Sequence, residues 1–189
     1  MTNTIIYLIG FPGSGKYTIA EQIRELTGAK LVDNHLINNP VFSVIETDGV
    51  SPIPDPVWQK VDAVRRIVLD TIREFSSPHF SFVFTNHLVD GDPSDVRAFL
   101  EIAALAAERR STFVPVRLFC DEEELCRRIV SADRIRRFKD ISPDNARHRF
   151  RTRRILSVDH PHLLDLDVTK LTAAQAAQQI VRHAQDAER

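Results

Sequence analysis

The sequence predicts an α/β fold, a parallel sheet of about five strands with helices on both faces. Three observations predict it. Short apolar runs rich in β-branched and aromatic residues alternate with amphipathic stretches of helical period along the chain. The first pair, Ile5 to Ile9 and then Ile19, Ile23 and Leu26, is joined by a glycine-rich turn. Nearly every amphipathic stretch opens on a capping residue. With 189 residues, 43% apolar and 27% charged, the chain reads as one globular domain over 1–189. Its 25 basic and 26 acidic side chains leave a net charge of −1 and point to neither nucleic acid nor membrane. No apolar run approaches a membrane span, and the opening residues do not read as a signal peptide. Cys120 and Cys126 form neither a CxxC pair nor a disulfide framework, so a reducing, cytoplasmic setting is expected.

The elements follow in order. Ile5-Ile6-Tyr7-Leu8-Ile9 is a strand buried on both faces. GFPGSGKYT, Gly10 to Thr18, is the turn, and the helix after it stops at Gly28. Leu31 and Val32 form a short strand ending at Asp33. Residues 36–55 lose periodicity and hold three prolines and a glycine, which predicts a loop on the acceptor side of a site. Asp55-Pro56 starts a helix to about Phe75, with Val57, Val61, Val64, Ile67, Val68 and Ile72 as its inner stripe. Phe80 to Asn86 is the third strand. Asp92-Pro93 opens a helix whose stripe is Val96, Phe99, Leu100 and Ala103. Phe113 to Phe119 is the fourth strand, with Pro115 restricting it to begin at Val116 or to lie near an edge. Asp121 with Glu124 and Ser142-Pro143 start two more helices. Leu163 to Val168 is the last strand. Thr172 with Gln175 forms a capping box for a helix to about Ala187.

The turn between the first strand and helix carries the chemistry. Gly10, Gly15 and Lys16 meet the pattern G-x-x-x-x-G-K. Glycines let backbone N–H groups curl around an anion, the helix adds its positive end, and Lys16 adds a point charge for the outer phosphates. A plain βα turn needs one glycine, not three with a lysine. In parallel sheets ligands sit at the carboxyl ends of strands. The site therefore draws on 10–18, Asp33 to His35, Asn86 to Asp90 and the segment after Phe119.

Positive charge is concentrated in one region. Between Arg127 and Arg154 stand ten arginines and one lysine against three acids. Guanidinium forks suit phosphate oxygens and the charge of a transferring phosphoryl group. A solvated helix face accounts for several of the ten, and only Phe138 and Phe150 interleave as aromatics, too few for a nucleic-acid patch.

GFPGSGKYT resembles the phosphate loop of the adenylate kinase-like P-loop kinases, close to G-x-P-G-S-G-K-G-T, a group that includes shikimate kinase, gluconate kinase and chloramphenicol phosphotransferase. The resemblance implies a three-layer P-loop NTPase fold, ATP as donor, Mg²⁺ as its partner and a small-molecule acceptor. It implies phosphate contacts from Gly10, Gly13, Ser14, Gly15, Lys16 and Thr18. It implies a lid over about 127–154 from which Arg134, Arg136 or Arg137 closes on the transferring phosphate. Thr169 to Leu171 matches the loop that passes the nucleotide base.

Two departures qualify it. Tyr17 stands where most such loops carry a Mg²⁺-binding hydroxyl, so the ion falls to phosphates, waters, Thr18 or the Asp33 carboxylate, and the phenol itself reads as packing. Asn86 stands where related third strands often end in an aspartate. Asp33 is the candidate for orienting the acceptor hydroxyl or acting as base, the alternative being a cap. Asn34-His35 and Asn86-His87 recur at two strand ends, either as acceptor recognition or as satisfied loop histidines. A zinc site from Asp33, His35 and His87 lacks metal-ligand spacing. His160 and His162 read as structural.

The expectation is a kinase for a hydroxyl metabolite, sugar acid or antibiotic, because residues 36–55 carry no Arg or Lys to meet an acceptor phosphate. A nucleoside monophosphate kinase and a nucleotide-binding module with weak catalysis are the alternatives. No N-K-x-D run supports a GTPase.

Overall fold

The computed structural model describes residues 1–46, 53–130 and 142–189. Five parallel strands form one sheet in the order β2-β3-β1-β4-β5. They are β1 Thr4–Gly10, β2 Lys30–Val32, β3 Phe82–Asn86, β4 Thr112–Phe119 and β5 Leu164–Asp167. Seven helices among the described residues accompany them: α1 Lys16–Thr27, α2 Asn34–Phe42, α3 Asp55–Phe75, α4 Pro93–Glu108, α5 Glu122–Ile129, α6 Pro143–Thr152 and α7 Ala173–Ala187. No helix of the described residues is long and apolar enough to cross a membrane.

β1 is buried along its whole length because it lies between β3 and β4 with helices above and below. The chain leaves β1 toward β2 and, after β3, crosses to the other side to form β4. That reversal puts a crevice at the carboxyl end of β1, where the glycine-rich turn begins. Pro115 sits inside β4 opposite Tyr7, and β5 pairs only from Val116 onward. The proline therefore lies where β4 is still an edge on that side.

The caps stand as the sequence predicts except at α3, where Pro54 is the cap residue and Asp55 lies in the first turn without a side-chain cap bond. Gly28, at φ 73°, ends α1 and donates to the Arg24 carbonyl. Asp92, Asp121 and Ser142 accept from the first turns of α4, α5 and α6. Thr172 and Gln175 complete a capping box on α7.

Three expectations are corrected. Residues 34–42 are helical, not loop: Asp33 caps α2, and Ile37 and Phe42 pack on Val61 of α3, which outweighs Pro40 inside the helix. Residues 47–52 of the expected loop lie outside the described residues. On α3 the buried residues are Val61, Leu69 and Ile72, and Ile67 is exposed. On α4 they are Ala98, Ile102, Leu105 and Ala106, leaving Val96 and Leu100 outside. On α4 the alanines Ala98 and Ala106 admit close packing, whereas on α3 the buried stripe is a neighbouring apolar one of similar size.

Candidate active site

The turn after β1 is built as a cup. Gly13 and Gly15 take φ of 93° and 85°, the left-handed region that other residues enter at a cost. A Cβ on Gly13 would stand 2.9 Å from the Leu125 carbonyl oxygen, and one on Gly10 2.9 Å from the Leu118 carbonyl oxygen. Both positions admit glycine alone without a shift of backbone. Ser14 is buried, and its N–H donates to Phe11 O at 3.1 Å. α1 begins at Lys16 with no acidic side chain in its first turn, so its positive end is left for an anion. Lys16 Nζ folds back over the loop, donating to Gly10 O at 2.7 Å and Phe11 O at 2.9 Å, with Ser14 Oγ at 3.5 Å. Thr18 is exposed on the first turn.

Asp33 stands across the sheet edge from this cup, only 4% exposed. Oδ1 accepts from Thr85 Oγ1 at 2.5 Å and Oδ2 from His35 N–H at 3.2 Å. The carboxylate thus does cap α2, as the alternative reading held, and still borders a groove of about 530 Å³. Tyr17, Arg24, Lys30, His35 and Asn39 share that groove. Tyr17 is a partly buried wall residue of that groove.

At the end of β3, Asn86 Oδ1 accepts from His87 N–H at 2.9 Å, and Asn86 Nδ2 donates to the Tyr7 hydroxyl at 3.2 Å. Burial raises the Tyr7 phenol well above its ordinary range. Arg65 of α3 lines a small cavity with Asn34, Thr85 and Asn86. It makes loose ion pairs with Asp62 at 3.3 Å and Glu101 at 3.6 Å. α3 therefore delivers a cation, Arg65, to the cavity beside the ends of β2 and β3.

His87 is pushed down to about 3, by burial first and then by Lys16, Arg149 and Arg153. Its ring centroid is 5.6 Å from that of Phe11, and Phe11 in turn lies 6.3 Å from Phe150. The chain after α6 returns along the β3 end: Val89 bridges Ile155, Asp90 N–H donates to Arg154 O, and Leu156 N–H to Leu88 O. This return brings Arg149 and Arg153 to the strand ends. Arg134, Arg136 and Arg137, the arginines that the resemblance singled out, lie outside the described residues. Asp90 and Asp92 hold backbone, accepting from Ser157 and Ser94 N–H. Asp95 is raised to about 6, chiefly by burial, and accepts from Val89 N–H at 2.8 Å.

Arg128 is a further residue at the loop that the sequence did not single out. Nη1 lies 3.8 Å from where a Gly15 Cβ would stand. Nη2 donates to Val168 O at 3.1 Å and Thr169 O at 3.3 Å, and Nε to Glu124 Oε1 at 2.6 Å. Its sequence signals are its place in the arginine-rich run from Arg127 and the i, i+4 spacing from Glu124. Among the described residues no group of three or more His, Cys, Asp or Glu converges as a metal site, and Cys120 and Cys126 are free thiols.

No protein-family model matches the chain, and no curated protein matches it. Solved structures do match. A gluconokinase from Sinorhizobium meliloti 1021 superposes with a TM-score of 0.62 at 16% identity, over 97% of this chain and 93% of that one. A thymidylate kinase from Candida albicans gives 0.56 at 13%, over 99% and 93%. A shikimate kinase from Acinetobacter baumannii gives 0.52 at 16%, over 97% and 93%. At these identities the likeness is one of fold, and that fold is the one of the adenylate kinase-like P-loop kinases.

Proposed function

We propose that the chain is a phosphotransferase that moves the γ-phosphoryl group of ATP, taken with Mg²⁺, to a hydroxyl of a small molecule. The observation that carries this is the cup itself. Two left-handed glycines and one close-packed glycine turn the backbone around the start of α1, with Lys16 Nζ inside the turn. In this reading the loop amides from Gly13 to Lys16 hold the β-phosphate, and Lys16 exchanges its bonds to Gly10 O and Phe11 O for β- and γ-phosphate oxygens. Arg128 stands beside the loop on the nucleotide side. Arg149 and Arg153 approach from α6, joined by Arg134 or Arg137 as proposed from the sequence.

The acceptor binds between Asp33 and the β3 end, in contact with His35, Asn86 and His87. Its hydroxyl oxygen bonds to the γ-phosphorus as the bond to the β–γ bridging oxygen breaks. The electron pair leaves with ADP, and the hydroxyl proton passes to the Asp33 carboxylate. Asp33 uses two of its lone pairs on Thr85 and His35 and has others left. It thereby fits both this role and that of an outer-shell partner for the ion, with the Thr18 hydroxyl nearby in sequence. When bound, Mg²⁺ would supply neutralisation of the phosphate charge.

Arg65 favours a second version of the same reading, in which the acceptor also carries a carboxylate or phosphate. A nucleotide-binding module with weak catalysis is the other reading, favoured by Tyr17 and Asn86. The experiment incubates the chain with Mg·ATP and gluconate, shikimate or thymidine monophosphate and measures ADP. Acceptor-stimulated ADP formation that Lys16→Ala abolishes supports the kinase. Stabilisation by Mg·ATP with no stimulated turnover supports the module.

A further inference from the structure

His87 differs from the other histidines with placed partners. At the opposite end of the sheet His162 Nδ1 meets Phe113 O at 3.2 Å, His183 Nε2 meets His162 O at 3.0 Å, and His160 Nδ1 accepts from His162 N–H at 3.1 Å. His87 Nε2 is enclosed and has no hydrogen-bond partner among the described residues. An enclosed, unmade hydrogen bond is costly, and native structures seldom carry one without a use.

Its surroundings narrow that use. The Asn86 side chain takes the His87 N–H and ties itself to Tyr7, which fixes where the imidazole emerges from β3. The ring lies against Phe11 of the phosphate loop. The charges that act on it are Lys16, Arg149 and Arg153, with no carboxylate among them. The imidazole is therefore neutral at working pH, with one lone pair and one N–H. An anionic oxygen at this place would be taken by the three cations, not by the imidazole. A hydroxyl suits both: it donates to the ring nitrogen and turns its own lone pairs toward the cations. Phe11 lies against the ring, and the exposed Phe150 lies against Phe11.

We propose that His87 Nε2 accepts a hydrogen bond from a second, non-reacting hydroxyl of the acceptor, so that the substrate is a polyhydroxy compound and His87 determines its specificity. The inference rests on the kinase reading above and names the substrate class for the same site.

The test uses the full chain with ¹⁵N-labelled histidine. The probes are gluconate and shikimate as polyhydroxy acids and thymidine monophosphate as the nucleotide, each added with Mg·ADP. The expected result is a His87 ring that stays neutral from about pH 5 to 8 and whose Nε2 resonance moves with at least one polyhydroxy probe. With that probe as acceptor, His87→Asn raises KM about tenfold and leaves kcat within about threefold. Stabilisation of the chain by Mg·ATP is unchanged in the variant. A chain stabilised by nucleotide whose His87 resonance ignores both polyhydroxy probes, or answers only thymidine monophosphate, overturns this inference and spares the kinase reading. An unchanged KM in His87→Asn does the same. A wild-type chain that Mg·ATP fails to stabilise overturns both.

Discussion

Thr85 Oγ1 donates to Asp33 Oδ1 at 2.5 Å, and the same oxygen accepts from Asn34 N–H at 3.2 Å. One hydroxyl on β3 thereby holds the end of β2 and the first turn of α2. Thr85→Val keeps the shape and leaves a buried carboxylate oxygen and an amide without this partner. Its stability should fall by about 1–3 kcal/mol in urea unfolding, while Thr85→Ser recovers most of it. Equal stability of all three chains would show that the contact contributes nothing.

Asp33 has two separable duties, capping and chemistry. Asn is as good a cap as Asp, so Asp33→Asn should keep α2 and the stabilisation by Mg·ATP. Turnover with any acceptor that the wild type uses should fall by about 10²-fold or more, because the amide takes no proton. Full turnover in this variant would remove Asp33 from the role of base.

Gly13 and Gly28 both have positive φ, yet they should respond differently to alanine. Around Gly28 no atom lies within 4 Å of the added Cβ, so Gly28→Ala costs only the left-handed strain, about 1–2 kcal/mol. Gly13→Ala adds a clash with the Leu125 carbonyl at 2.9 Å and must move backbone. Thermal melts with and without Mg·ATP distinguish them. Gly28→Ala melts earlier and keeps the nucleotide shift, whereas Gly13→Ala loses the shift.

His87 also predicts an acid limb of stability. Folding lowers its affinity for a proton from the ordinary value of 6.5 to about 3. Between those values the unfolded chain binds a proton that the native chain does not, so stability rises with pH. The contribution is complete above about pH 6.5 and is lost progressively toward pH 3. From pH 7.5 to pH 5 the wild type should lose about 2 kcal/mol through this group. His87→Asn should show a correspondingly smaller loss in urea titrations at the two pH values. Identical losses would mean that the ring is not held neutral.

The elements that could be read from the sequence are those specified by neighbours in the chain. Gly10, Gly13 and Gly15 beside Lys16 define the cup because φ above zero and close approach are properties of glycine wherever it stands. Asp121, Ser142 and Thr172 announce helix starts because a cap bonds two or three residues onward. The helix faces of α3 and α4 were less legible, since Ile67 and Leu100 match the period as well as Leu69 and Ile102 do. Only the partner layer decides between two apolar stripes. α2 escaped detection because what holds it is the packing of Ile37 and Phe42 on Val61, contacts with another helix.

By itself, then, the sequence determined the alternation of strand and helix, the caps and the anion-binding turn, all set within a few residues of backbone. The tertiary structure alone decided which side chains meet around that turn. Thr85 reaches Asp33, Arg128 reaches the carbonyls of Val168 and Thr169, and the return of the chain after α6 sets Arg149 and Arg153 against His87. Such meetings depend on strand order and register, and those are settled by burial of whole faces, not by any local spacing.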